Sequence, residues 1–127
     1  MAKYVDGFVL VVPKNKVAAY KKMAAGAKHM WLKRGALDYK ECRGDDLRIK
    51  PMGGMPAPLS FIKLTKARPS ESVWFSFITY KSKKHRDQVN AKVMKQMEKE
   101  AEKWKDMPMP FDMKRMAYGG FKVEVDK

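Results

Sequence analysis

The stretch SVWFSFITY, from Ser72 to Tyr80, limits what this chain can fold into more than any other. In a strand, alternate side chains point to opposite faces. Val73, Phe75, Phe77 and Thr79 therefore share one face, and Trp74, Ser76, Ile78 and Tyr80 the other. Large apolar groups stand on both. YVDGFVLVV, Tyr4 to Val12, repeats the pattern, with Phe8 and Leu10 opposite Val9 and Val11. Such a sheet has to be covered on both sides.

The segments between these strands supply one cover. Val17, Tyr20, Ala24, Ala27 and Trp31, with Met23 and Met30 beside them, recur at helical spacing. Asn15 is the expected N-cap and Gly35 the expected stop. Ala36 to Arg43 reads as the second strand. SKKHRDQVNAKVMKQMEKEAEKWK predicts a second helix, capped by Ser82, with an apolar stripe of Val89, Val93, Met97, Ala101 and Trp104. MPMPF breaks it, and a last strand is expected from about Lys114 to Val125. A short extended piece is expected around Phe61 to Thr65. The order is β-α-β-β-α-β, the ferredoxin-like arrangement: an antiparallel sheet with two helices on one face. The chain reads as one domain, 1–127, with an irregular Gly- and Pro-rich excursion at about 44–70. Two helices leave the second sheet face bare. The expectation is a two-fold homodimer in which open faces pack together. The alternative is that the excursion folds over that face within one chain.

At 127 residues, with 45% hydrophobic and 33% charged, the composition suits one domain with a modest core. The formal net charge of +14 predicts attraction to polyanions without specifying recognition. Cys42 is the single cysteine, so neither an internal disulfide nor a cysteine metal cluster is expected. The opening MAKYVDG does not read as a secretory signal, and no stretch suits a bilayer span. A cytoplasmic setting without membrane insertion is the expectation.

Four pieces together resemble the DUF1428, or YbaA-like, family of bacterial proteins of unknown function. They are YVDGFVLVVPKNKVAAY, GALDYKEC followed by GDD, VWFSFITYKSKKHRDQVNAKVM and MPFDMKRMAYGGF. The resemblance implies a dimeric α+β barrel, in which two ferredoxin-like sheets face each other. By fold analogy, that architecture also houses cofactor-independent monooxygenases and small-molecule binders. LRIKPMGGMPAPL is longer and more apolar than the family's usual link after GDD.

The candidate chemistry falls into three sets. Tyr80 ends the third strand, with His85 and Arg86 one turn further on and Asp87 adjacent. Histidine exchanges protons near neutral pH, and arginine clamps carboxylate or phosphate. The plainer reading is a helix-start hydrogen-bond network. Asp112, Arg115 and Tyr118 form the second set, with Arg115 and Tyr118 on opposite faces of a regular strand. Gly119 and Gly120 there indicate a close approach by a side chain, ligand or partner subunit. Tyr39 and Glu41 share a face of the second strand, and Trp74 stands on the third as a further ligand-binding candidate. Asp45 and Asp46 read as a turn. His29 and Cys42 complete no zinc or haem pattern, so no metal or cofactor is expected.

The expected function is a small-molecule-binding dimer for an anionic or aromatic ligand. A cofactor-free oxygenation or isomerisation is compatible, with His85 as proton shuttle and Arg86 or Arg115 as charge stabiliser. Whether the chain is an enzyme stays open. The first helix carries Lys14, Lys16, Lys21, Lys22, Lys28, Lys33 and Arg34 without an acid, which keeps a disfavoured RNA-binding alternative in view. A structural or protein-interaction module is the remaining alternative.

Overall fold

A computed structural model describes residues 2–126. Strand β1 (Tyr4–Pro13) leads through a 3-10 turn (Lys14–Lys16) into helix α1 (Val17–Lys33). Strand β2 (Asp38–Arg43), helix α2 (Phe61–Thr65), strand β3 (Glu71–Tyr80) and helix α3 (Lys83–Lys99) follow. Helix α4 (Ala101–Trp104), a 3-10 turn (Met113–Arg115) and strand β4 (Ala117–Lys122) complete the chain. The strands form one antiparallel sheet in the order β2-β3-β1-β4. This is the split β-α-β topology of the ferredoxin-like arrangement.

Local chemistry explains the helix ends. Ser82 Oγ accepts the His85 amide at 3.0 Å and starts α3. Gly35 takes φ +117°, the left-handed region that lets the chain leave α1 and turn back into β2. Asn15 does not cap α1; it lies inside the 3-10 turn, and Lys16 holds the cap position without a side-chain bond. The piece around Phe61 to Thr65 is helical rather than extended. Ser60 Oγ accepts from the Lys63 amide at 3.1 Å, and Lys66 closes the turn at φ 56°. The last strand is shorter than expected because Asp112 caps the Met113–Arg115 turn.

The core lies between the sheet and α1 and α3. Even-numbered residues of β1 and β3 and odd-numbered ones of β2 point towards it. One cluster gathers Tyr39, Ile78, Tyr80, Val89 and Val93 with Trp31; another gathers Leu10, Val12, Tyr20, Ala24 and Trp74. Two polar links tie the helices: Trp31 Nε1 donates to Asn90 Oδ1 at 3.1 Å, and Arg34 Nε to Gln96 Oε1 at 3.0 Å.

The other face is covered in part by the chain itself. The closed dimeric α+β barrel is not what the structure forms. The sheet is open, with β2 and β4 as its edges. The chain's own excursion covers one end of the open face: α2 packs on β1 and β3, and Val11 and Val73 are buried there. The Gly44 amide donates to the Val73 carbonyl at 2.7 Å, drawing the start of the excursion onto β3. Towards the other end Phe75 keeps 45% and Phe121 63% of its surface in solvent. The excursion thus competes with a second sheet for part of the face that a barrel would need whole.

Candidate functional site

Asp6 is the third residue of β1, on the face that packs against the helices. Its flanking residues on that face are Tyr4 and Phe8, and it is 1% exposed. A carboxylate there has to be partnered. Arg86, from the first turn of α3, donates from Nη1 to Asp6 Oδ1 at 2.6 Å. Tyr118, on β4, donates its hydroxyl to Asp6 Oδ2 at 3.2 Å, and its oxygen accepts from Arg86 Nη1 at 3.1 Å. The three groups close a triangle.

Each corner is held from outside. Register puts Tyr118 opposite Phe8, and their rings stack with centroids 4.8 Å apart. Arg86 lies over the Tyr4 ring, 5.0 Å from its centroid, and Nε donates to Asp87 Oδ1 at 2.8 Å. Gly120 pairs with Asp6 across the β1–β4 ladder. A Cβ at Gly120 would come within 2.9 Å of Tyr4 ring carbons. The close approach signalled by the glycine pair is therefore made by Tyr4, the ring that supports Arg86.

The electrostatics follow from burial. Loss of water raises the Asp6 pKa, and the Arg86 charge and the Tyr118 hydrogen bond offset part of that. Tyr118 is also raised, by burial first and then by the Asp6 charge. Burial works against the charged form of Arg86, but the bond to Asp87 and the charge of Asp6 outweigh it. Tyr118 is nevertheless 52% exposed. It connects a buried carboxylate to solvent beside a fixed guanidinium. Such a set can exchange a proton and stabilise a developing negative charge.

The triangle unites Arg86 and Tyr118 from two of the sets read in the sequence. Asp6 was missed. Its signal was available: an acid in phase with Tyr4, Phe8, Leu10 and Val12 has to face the core. His85 lies nearby but is engaged in local fastening. Its Nδ1 accepts the Lys81 amide at 3.0 Å, and its ring sits edge-on to Tyr80, 5.9 Å away. Tyr80 is fully buried, with its hydroxyl 3.4 Å from Asn90 Oδ1.

The other candidates lie elsewhere. Arg115 forms a clip, with Nη1 to Glu71 Oε2 at 2.6 Å and Nη2 to the Thr65 and Lys66 carbonyls at 3.3 and 3.2 Å. It holds the end of α2 to the start of β3. Asp112 accepts the Lys114 amide at 3.0 Å and acts as a cap. Trp74 is buried, donating to Ser72 Oγ at 2.9 Å. Tyr39 and Tyr20 both donate to Glu41, at 2.8 and 2.7 Å. Asp45 and Asp46 are exposed, and no group of three His, Cys, Asp or Glu side chains suited to a metal ion occurs among the described residues.

Two functional expectations are corrected by this geometry. An interior barrel pocket does not arise, because the sheet is open. Instead the surface carries solvent-open hollows, among them one of about 370 Å³ beneath Phe61 and one of about 570 Å³ between α1 and β2. The RNA-binding alternative is not sustained either. The lysines of α1 lie on the helix side, whereas Phe75, Phe77 and Phe121 project from the opposite face. The sheet separates the helix charge from the rings on which bases would stack. Among the described residues no helix is long and apolar enough to cross a membrane.

Fold and site together define a small α+β domain with an open antiparallel sheet and a buried Asp–Arg–Tyr triangle at its β4 edge. The chain belongs to the DUF1428 family, described as a protein of unknown function, whose family model matches residues 3–113. It is similar to the uncharacterized protein YbaA of Escherichia coli (strain K12). The two are 42% identical over 127 residues, covering 98% of this chain and 99% of the relative. The YbaA proteins of Escherichia coli O157:H7 and Shigella flexneri show the same identity and coverage.

Proposed function

We propose that this domain binds a small anionic or aromatic ligand beside Tyr118, at the β4 edge of the helix layer, and exchanges a proton with it. The observation that carries this reading is the contact of the buried Asp6 carboxylate with a half-exposed Tyr118 hydroxyl. Asp6 is the carboxylate that accepts a proton through Tyr118, Tyr118 the group that meets the ligand, and Arg86 the charge that keeps both in place. The reaction class that suits these parts is a cofactor-independent tautomerisation. One carbon of the ligand gives up a proton while another atom of the same molecule receives one, so no oxidant is consumed.

Phenylpyruvate is a suitable probe, because it is an aromatic carboxylate whose keto–enol interconversion is visible in the ultraviolet. The expected result is faster interconversion with the native chain and a loss of at least about tenfold in Tyr118→Phe, with the thermal midpoint lowered by only about 4–8 °C for the hydrogen bond that Asp6 loses. Equal rates for the native chain and Tyr118→Phe would remove the site from this position.

Self-association and a cytoplasmic setting complete the proposal. Exposed Phe75 and Phe121 support contact between copies through the open end of the sheet face. The unpaired Cys42 supports a reducing compartment. Light scattering on the eluting protein tests the first point; a monomer mass at tens of micromolar would reject it.

A further inference from the structure

The hollow between α1 and β2 lies apart from the Asp6 triangle, on the other side of the central strands. Its volume is about 570 Å³. Ala24, Tyr39 and Trp74 form its floor, and Lys21, Lys28 and Arg43 stand around it. The hollow exists because α1 presents Ala24 and Ala25 towards β2, where larger side chains would fill the space. Lys21 and Lys28 are two helical turns apart, so they overhang the same side of the helix.

One acid lies in this basic ring. Glu41 is held by two nearly buried tyrosines: Tyr20 Oη donates to Oε1 at 2.7 Å and Tyr39 Oη to Oε2 at 2.8 Å. Burial first, and then Glu41, push both phenols upward, so they stay protonated donors across the physiological range. Each carboxylate oxygen keeps a second acceptor site, and its position is fixed. Among the described residues, none of Lys21, Lys28 and Arg43 is within ion-pair distance of Glu41 or of another acid. Lys40, the fourth cation of the lining, is paired with Asp38 at 2.9 Å, so Lys21, Lys28 and Arg43 are the three that face the hollow without an ion pair.

We infer that this hollow is a binding site for a small phosphomonoester that also carries hydroxyl groups, such as a sugar phosphate. A phosphomonoester brings about −1.5 to −2 charges at pH 7, which matches the unneutralised cations of the rim. Its hydroxyls donate to Glu41. The carboxylate repels phosphate, so the ligand can lie only one way: phosphate towards Lys21, Lys28 and Arg43, hydroxyls towards Glu41. The same repulsion disfavours a continuous polyanion threaded through the hollow.

Calorimetric titration of the full chain with ribose 5-phosphate and glucose 6-phosphate tests this, with ribose and inorganic phosphate as controls. Both sugar phosphates are expected to bind at least about tenfold more tightly than inorganic phosphate, and free ribose not measurably. Lys21→Glu and Lys28→Glu, at exposed positions, should each weaken the sugar phosphates about tenfold while the thermal midpoint holds. Glu41→Gln should bind inorganic phosphate no worse than the native chain, yet lose the preference for sugar phosphates. Tyr118→Phe should leave all of these affinities unchanged, which separates this site from the proton-exchange site. Absence of binding by both sugar phosphates, equal affinity for inorganic phosphate, or indifference to both lysine changes would overturn the inference.

Discussion

Arg86→Met offers the sharpest test of how the triangle is balanced. Methionine keeps much of the side-chain volume but removes the charge and the donors. Asp6, 1% exposed, would then retain the Tyr118 hydroxyl while losing its 2.6 Å ion pair. Removing one partner of a buried pair costs about 3–5 kcal/mol, because the charge left behind has neither water nor a counter-ion. For a domain of this size that is a fall of roughly 12–20 °C in thermal midpoint. Asp6→Asn should cost less, about 1–2 kcal/mol. There the stranded group is Arg86, which keeps Asp87, the Tyr4 ring and 13% of its side-chain surface in solvent. The pH dependence separates a charge effect from a packing effect. The folded-state pKa of Asp6 lies above its ordinary 3.8, so the folded chain holds this proton more tightly than the unfolded one. The stability this gives is fully present below 3.8 and is lost as pH rises through the raised folded value. Arg86→Met raises that value further. Its deficit relative to the native chain should therefore grow on going from about pH 3.5, below the ordinary value of 3.8, to about pH 8, by at most about 1.4 kcal/mol per pH unit. Urea unfolding at both pH values, with the slope checked for constancy, is the measurement. A deficit that is the same at both pH values, or smaller than that of Asp6→Asn, would refute the account of Asp6 as a charge stranded in the core.

The remaining predictions concern what surrounds the triangle. Gly120→Ala should destabilise by about 1–3 kcal/mol and displace the Tyr4 ring from Arg86, visible as a changed Tyr4 aromatic resonance. Arg115→Ala should release the end of α2, giving faster amide exchange at Leu64, Lys66 and Ala67 while exchange in β1 stays slow. Because Arg115 and then the Arg68 amide hold Glu71 below its ordinary 4.5, the stability from that clip is present above this value. It should fade as pH falls through the folded value, and acid unfolding of Arg115→Ala should lack this component. Ser82→Ala should cost about 1 kcal/mol through loss of the α3 cap, measured by urea unfolding.

Much of the fold was legible because it rests on periodicity. The period-two runs at Tyr4–Pro13 and Glu71–Tyr80 and the apolar helix stripes are properties of neighbouring residues, and they place α1 and α3 on one face. What could not be read depends on partners far apart in the chain. Arg115 looks like a free cation in KRMAYGG; that it clips Glu71, 44 positions away, is decided by where α2 lands. The barrel is what the family resemblance implies, but the excursion competes for the bare face a barrel would need, and Gly/Pro-rich sequence carries no period to reveal its path. The helix at Phe61–Thr65 reads as extended from sequence because five apolar-rich residues are too few to show a repeat; only the Ser60 cap marks it.

The site was half legible for a related reason. HRD announces itself at a helix start, and AYGG at a strand, yet neither says which way its polar groups turn. Register supplies the missing relation. Once β4 pairs with β1 so that Phe8 meets Tyr118 and Asp6 meets Gly120, the tyrosine hydroxyl has to fall on the carboxylate's side of the sheet. A residue with a side chain at position 120 would push Tyr4 away from the place where it supports Arg86. The absence of a side chain at Gly120 is thus as much a part of the site as the three polar groups. It lets an aromatic ring lie flat beneath a guanidinium at the sheet edge, and the guanidinium in turn keeps a carboxyl at the sheet centre in contact with a hydroxyl that reaches water.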